Sequence, residues 1–166
     1  RTQIFPQAIR VLAAMASIAL AVVLTTGTMV TGSGVHSGDD GVGMEGRLKV
    51  DTEMMAVAHA MCMYAYLILT VIVIFMLYRV HAPAFVKKAA WVLIACILIQ
   101  WGIGVAQFYM HIPRWTVPIH IGMSSVVTAF TALLWAHGVR RINGTEGLNT
   151  GSPAAEEKFA ARQAAL

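Results

Sequence analysis

Two histidines, His59 and His120, lie inside long apolar stretches of the sequence, and they are its most specific candidates for chemistry. Such a side chain within a membrane helix is rare and usually functional. Neutral imidazole is the commonest metal ligand among side chains and an axial ligand of haem iron in many proteins. Two imidazoles at the same depth on helices that run in the same direction could hold one flat ligand, and haem is the favoured one. The alternative is that each histidine only hydrogen-bonds a neighbouring helix.

The two cysteines give little support to a zinc site at His59. A structural zinc site needs four ligands and usually includes cysteine. Cys62 lies one turn from His59, but Cys96 belongs to a different apolar stretch, and both are expected to be small buried hydrophobes. Gln100 and Gln107 are seven residues apart on one helix face, where the expected role is hydrogen bonding between helices.

Four charge-free stretches must position these side chains. The chain has 166 residues, of which 58% are hydrophobic and 12% charged, whereas soluble domains average about 45–50% apolar and about 25% charged. Asp, Glu, Lys and Arg are absent from residues 11–38, 54–78, 89–113 and 115–139. Each stretch exceeds the roughly 20 residues that a spanning helix needs, and backbone groups in lipid must pair internally. We predict spanning helices at about 11–30, 54–77, 89–108 and 117–136.

Short connections containing Pro83 and Pro113 join the second, third and fourth predicted spans, so these spans should be antiparallel neighbours. The predicted fold is an all-α, membrane-spanning antiparallel four-helix bundle over residues 8–138, followed by a polar tail at 139–166. The second and fourth spans would then lie diagonally opposite and run in the same direction. Counted from one membrane face, His59 lies about one and a half turns deep and His120 about one turn deep.

The charge distribution predicts the orientation of the bundle. The net charge of +4 is not a nucleic-acid signal, because the basic residues lie at the ends of spans. Those expected on the cytoplasmic side are Arg1, Arg10, Arg79, Lys87, Lys88, Arg140 and Arg141. The positive-inside rule then predicts an integral protein of a bacterial-type plasma membrane, with both termini in the cytoplasm and the loop at 31–53 outside.

The outer loops contain the candidate partners of the haem propionates and of the haem edge. Besides Lys49, the basic side chains available to haem propionates there are Arg47 and Arg114. His36 and Asp39 lie in a glycine-rich loop. They are either solvated residues or residues that cover the haem edge or carry protons.

The same loop carries a resemblance to a known family. Residues 30–39 read Val-Thr-Gly-Ser-Gly-Val-His-Ser-Gly-Asp, which resembles the outer-loop signature Thr-Gly-x-Gly-Pro-His-x-Gly-Asp of the haem A synthase family, with Val35 in place of proline. His59 fits the next span. The run Gln-Trp-Gly-Ile-Gly-Val-Ala-Gln at 100–107 and the run Val-Pro-Ile-His at 117–120 also fit. The resemblance covers about residues 8–138.

Members of that family usually contain two four-helix halves, and this chain resembles the second half. The resemblance implies that His59 and His120 hold a haem b cofactor, while the first half binds the haem substrate. The family reaction oxidises a methyl group of haem O to the formyl group of haem A, which is used in cytochrome oxidase assembly. The loop cysteine, the Pro-Asp-Trp-Pro run and the glutamate of the first half are not in this sequence.

We therefore expect this chain to be the haem-binding half of a haem A synthase, an oxidoreductase that is incomplete on its own. It would work with a first half or as a homo-oligomer in the lipid bilayer, and with haem O or haem A. The first alternative is a non-enzymatic membrane cytochrome b. The second is a structural subunit of a respiratory complex that binds no haem.

Overall fold

The structure, a computed structural model, describes residues 2–3, 5–34, 48–137 and 139–140. Within these residues it contains four long helices: α1 (Gln7–Ser33), α2 (Thr52–Arg79), α3 (Ala84–Tyr109) and α4 (Thr116–Ala136). All four are long and apolar enough to cross a membrane. The predicted all-α class and the prediction of an integral membrane protein are confirmed.

The helices extend past the predicted spans, because the sequence marks the edge of the apolar stretch and not the end of the helix. Helix α2 begins at Thr52, and the Asp51 side chain caps it by accepting a hydrogen bond from the Met54 N–H at 2.6 Å. Helix α3 begins directly after Pro83 and includes Lys87 and Lys88. Lysine is a good helix former, and charged side chains at a span end can reach the polar interface.

The helices form a ring of neighbours. Helix α1 packs most extensively on α2, and α3 packs on α4, while the α2–α3 and α1–α4 contacts close the bundle. Among the described residues, α2 and α4 have no close backbone approach, so they lie diagonally opposite, as expected from the short connections. A two-residue antiparallel pairing of β1 (Thr2–Gln3) with β2 (Val139–Arg140) joins the two ends of this part of the chain.

The core is a narrow column between the helices. Its most deeply buried large side chains include Ile9, Tyr66, Leu77, Leu93 and Ile97. Many large apolar side chains face outward instead, such as Ile18 and Met61, each more than half exposed. Lipid is the solvent that suits such a surface, since lipid tails are as apolar as these side chains.

The turn before α4 is held in an unusual backbone conformation. His111 and Ile112 have φ angles of 58° and 55°, and a β-branched residue is rarely found in this left-handed region. The Ile112 N–H donates to the Gln107 carbonyl at 2.7 Å, and the Gln107 amide donates to Thr116 Oγ1 at 2.9 Å. These bonds connect the end of α3 to the first residue of α4.

Candidate functional site

His59 lies about two turns into α2, and its ring is held against α1. Its Nδ1 atom lies 3.0 Å from the Val23 carbonyl oxygen and 3.1 Å from Thr26 Oγ1. A carbonyl can only accept, so Nδ1 carries the proton and donates it to Val23. Nε2 then keeps its lone pair. Metal-binding histidines are commonly arranged this way, with the second ring nitrogen tied to a backbone carbonyl.

His120 lies about one turn into α4, and its surroundings differ. The Gln100 side chain of α3 donates from Nε2 to the backbone carbonyl of His120 at 3.0 Å. The Nδ1 atom of His120 and the Oε1 atom of Gln100 are both buried, and neither has a hydrogen-bond partner within the described part of the chain. The backbone of His120 is therefore anchored, but its ring is not.

The two imidazole rings lie next to each other, with their centroids 6.4 Å apart and their planes at 66°. A metal–imidazole bond is about 2.0–2.1 Å long, and a five-membered ring with bonds of about 1.3–1.4 Å has a radius of roughly 1.2 Å. Two rings on opposite sides of one metal ion thus have centroids about 6.4 Å apart. Rotation about each metal–nitrogen bond leaves this distance unchanged, so the interplanar angle is not restricted. The spacing fits two axial ligands of one haem iron.

Each histidine lies against a glycine on the helix that precedes its own. A Cβ atom added to Gly27 of α1 would lie 3.1 Å from His59 Cε1, and one added to Gly104 of α3 would lie 3.2 Å from His120 Cε1. Both distances are shorter than ordinary carbon–carbon contacts. The glycines therefore provide the room in which the rings sit. Neither glycine is among the predicted site residues, although a glycine inside an apolar helix is a signal of close packing.

A hydrogen bond joins the same two diagonal helices about two turns past His59 in α2 and about three turns past His120 in α4. Tyr66 Oη and Thr131 Oγ1 are 2.6 Å apart and buried, in the only side-chain hydrogen bond between α2 and α4 within the residues that the structure describes. Thr70 and Thr131 border a cavity of about 20 Å³, which is room for one water molecule. This pair could not be predicted from the sequence, because a tyrosine and a threonine within apolar helices form no distinct pattern.

The other predicted site residues are only partly accounted for. His36, Asp39 and Arg47 lie outside the described residues. Arg114 is exposed in the turn between α3 and α4, at the same end of the bundle as the histidine pair, and Lys49 is exposed just before α2.

No cluster of three or more His, Cys, Asp or Glu side chains suited to a metal ion occurs within 5–34 and 48–137. A two-histidine site therefore fits a cofactor that brings its other metal ligands itself. Comparisons with protein-family models, with curated proteins and with solved structures find no match to this chain. The resemblance to the haem A synthase family thus stands on the motifs in the sequence.

Proposed function

We propose that this chain binds one haem b between His59 and His120 and serves as the haem-binding half of a haem A synthase. The observation that carries the proposal is the 6.4 Å separation of two imidazoles on diagonal helices. The tautomer of His59 supports it, because Nε2 keeps a lone pair to which no group of the described residues donates. When bound, haem b supplies one-electron redox chemistry close to one membrane face.

The chain's own residues would position and shield that cofactor. His59 and His120 would supply the nitrogens that hold the iron, and Gly27 and Gly104 let the rings sit close to the neighbouring helices. Arg114, together with Arg47, would pair with the propionates, since guanidinium groups bind carboxylates in a two-pronged geometry. The apolar side chains around the pair would exclude water and so favour tight ligation.

The oxidation of haem O to haem A would take place on a partner half or in a homo-oligomer. Within the described residues the only carboxylates are Asp51 and Glu53, and both are exposed at the start of α2. Within the described residues, no carboxylate is therefore placed beside the histidine pair to take a proton from a substrate methyl group. This chain alone would bind haem and carry electrons, and it would not convert haem O. The same observation favours the second candidate, a non-enzymatic membrane cytochrome b.

The haem content of the purified chain tests the proposal. We expect about one haem b per chain by pyridine haemochrome, in line with one pair of axial ligands. His59→Ala and His120→Ala should each abolish the reduced-minus-oxidised bands, because either change removes an axial ligand. His81→Ala is the matched control, since His81 is exposed in the turn at the opposite end of the bundle. Haem spectra that survive in both single variants would contradict the assignment. A chain purified without haem would favour the structural-subunit alternative.

Conversion of haem O separates the synthase from the simple cytochrome. We expect cells that make haem O and this chain alone to produce no haem A, and coexpression with a first half to restore its formation. Haem extraction and chromatography give the answer. Formation of haem A by this chain alone, dependent on His59 and His120, would assign the whole reaction to one four-helix unit.

The orientation belongs to the same proposal, with the histidine pair near the outer face and both termini in the cytoplasm of a bacterial-type cell. The asymmetry of Lys and Arg between the loops supports it. Protease digestion of sealed vesicles tests it, because the tail at 143–166 should be cleaved only in inside-out vesicles. Cleavage of that tail only in right-side-out vesicles would reverse the topology.

A further inference from the structure

The two rings of the histidine pair are anchored to different extents. His59 Nδ1 has the Val23 carbonyl and the Thr26 hydroxyl as partners. His120 Nδ1 is buried and has no partner among the described residues. Buried polar atoms in proteins are nearly always paired with protein or with ordered water. His120 therefore requires an acceptor for the Nδ1–H if its Nε2 is to face the space shared with His59.

Gln100 supplies the complementary atom. Its Oε1 is a buried acceptor without a partner, while its Nε2 is fixed on the backbone carbonyl of His120. Gln100 and His120, which carry the unpaired acceptor and the unpaired ring nitrogen, are thus joined by one hydrogen bond. An amide oxygen accepts from an imidazole N–H, so the two unpaired atoms are chemically complementary.

We propose that Gln100 is the positioning residue of His120. Its carboxamide donates to the His120 backbone carbonyl through Nε2, and its Oε1 is the acceptor for the Nδ1–H of the ring. The imidazole is thereby held in the tautomer whose Nε2 can bind iron. The role toward iron rests on the proposed function, whereas the tautomer is a property of the protein without cofactor.

The tautomer gives the direct test. In the cofactor-free protein labelled with ¹⁵N-histidine, we expect His120 to carry its proton on Nδ1, with the signal assigned by its loss in His120→Ala. Gln100→Met keeps a side chain of similar length but has neither amide atom, so a mixture of the two tautomers should appear. Gln107→Met is the matched control, because that glutamine is on the same helix but donates to Thr116. It should leave the His120 signal unchanged.

The haem-loaded protein gives a second readout. A hydrogen bond accepted from the far side of the ring makes the imidazole a stronger donor to the metal, and loss of such a partner typically weakens metal binding by about 10- to 100-fold. We expect Gln100→Met to weaken haem binding within that range and to raise the reduction potential of the remaining haem. Gln107→Met should do neither.

An unchanged tautomer together with an unchanged potential in Gln100→Met would overturn the proposal, as would equal effects of Gln107→Met. If Gln100→Met does not accumulate, the wild-type spectrum decides, since a His120 ring protonated on Nε2 contradicts the proposal. Absence of haem from the wild-type protein would remove the proposed function but leave the tautomer measurement valid.

Discussion

The hairpins α1–α2 and α3–α4 present the same arrangement twice. In each, a glycine of the first helix makes room for a histidine of the second, Gly27 for His59 and Gly104 for His120. The anchoring of the rings differs. The His59 ring is bonded to a main-chain carbonyl and a hydroxyl, whereas only the backbone of His120 is held, by a side-chain amide. The His59 ring thus has one main-chain partner that a side-chain substitution leaves in place, whereas His120 depends on a single side chain.

The largest effect is expected from substitutions that fill the space beside a histidine ring in either hairpin. Gly27→Leu or Gly104→Leu would place a large side chain where the histidine ring lies, so we expect nearly complete loss of haem binding in each. Gly102→Leu is the matched control, because Gly102 is exposed on α3 and an added Cβ would meet no atom within 4 Å. Haem content of the purified variants measures the effect. Retention of haem in both glycine variants would show that the rings are not held against these helices.

A smaller substitution at the same glycines should show how firmly each hairpin holds its histidine ring. Gly27→Ala pushes on a ring that two hydrogen bonds fix, so we expect destabilisation of about 1–3 kcal/mol, typical of overpacking. Gly104→Ala pushes on a ring whose position depends on the Gln100 side chain and not on the main chain, and we expect less than about 1 kcal/mol. Unfolding in detergent at increasing denaturant measures both. Equal losses would mean that the hydrogen bonds to His59 do not restrict its ring.

The next smaller effect is expected from loss of the hydrogen bond between the diagonal helices α2 and α4. Tyr66→Phe removes the only side-chain hydrogen bond between α2 and α4 within the described ranges, while Thr131 still donates to the Val127 carbonyl at 2.8 Å. We expect a loss of about 0.6–1.7 kcal/mol in the free energy of unfolding, as for other hydrogen bonds between membrane helices. Tyr64→Phe, which removes a contact of Tyr64 with Trp101 at the lipid-facing surface, serves as control. An effect of Tyr64→Phe as large as that of Tyr66→Phe would contradict a special role of the buried bond.

The smallest effect is expected at Thr26. Thr26→Val removes one of two partners of His59 Nδ1 but leaves the Val23 carbonyl, so the tautomer of His59 should not change. We expect less than about 0.6 kcal/mol of destabilisation and an unchanged reduction potential. A potential shift as large as that of Gln100→Met would show that the hydroxyl, and not the main chain, orients the ring.

The sequence predicts the framework of the fold because the bilayer imposes it. Charge-free stretches longer than a membrane is thick can only be helices in lipid, and short connections make them antiparallel. The diagonal placement of the helices that carry His59 and His120 follows from this order. The exact helix ends do not, since Lys87 and Lys88 continue α3 past its apolar stretch.

The partners of the histidines could not be predicted, because they depend on how each helix is rotated about its axis. Helices apolar on all sides carry no stripe that sets this rotation. Gly27, Gly104 and the Tyr66–Thr131 bond therefore emerge only with the packed helices. Gln100 was predicted to bond between helices, and the structure shows which bond it makes.

Electron paramagnetic resonance of the oxidised, purified chain tests the central claim most directly, because the signal of ferric haem reports its axial ligands. Two imidazoles on one iron, His59 and His120, predict a low-spin signal that accounts for all the haem present. The His120→Ala variant, prepared in the same way, should lack this signal. A high-spin signal from the wild-type protein, or a low-spin signal that persists in His120→Ala, would contradict the account.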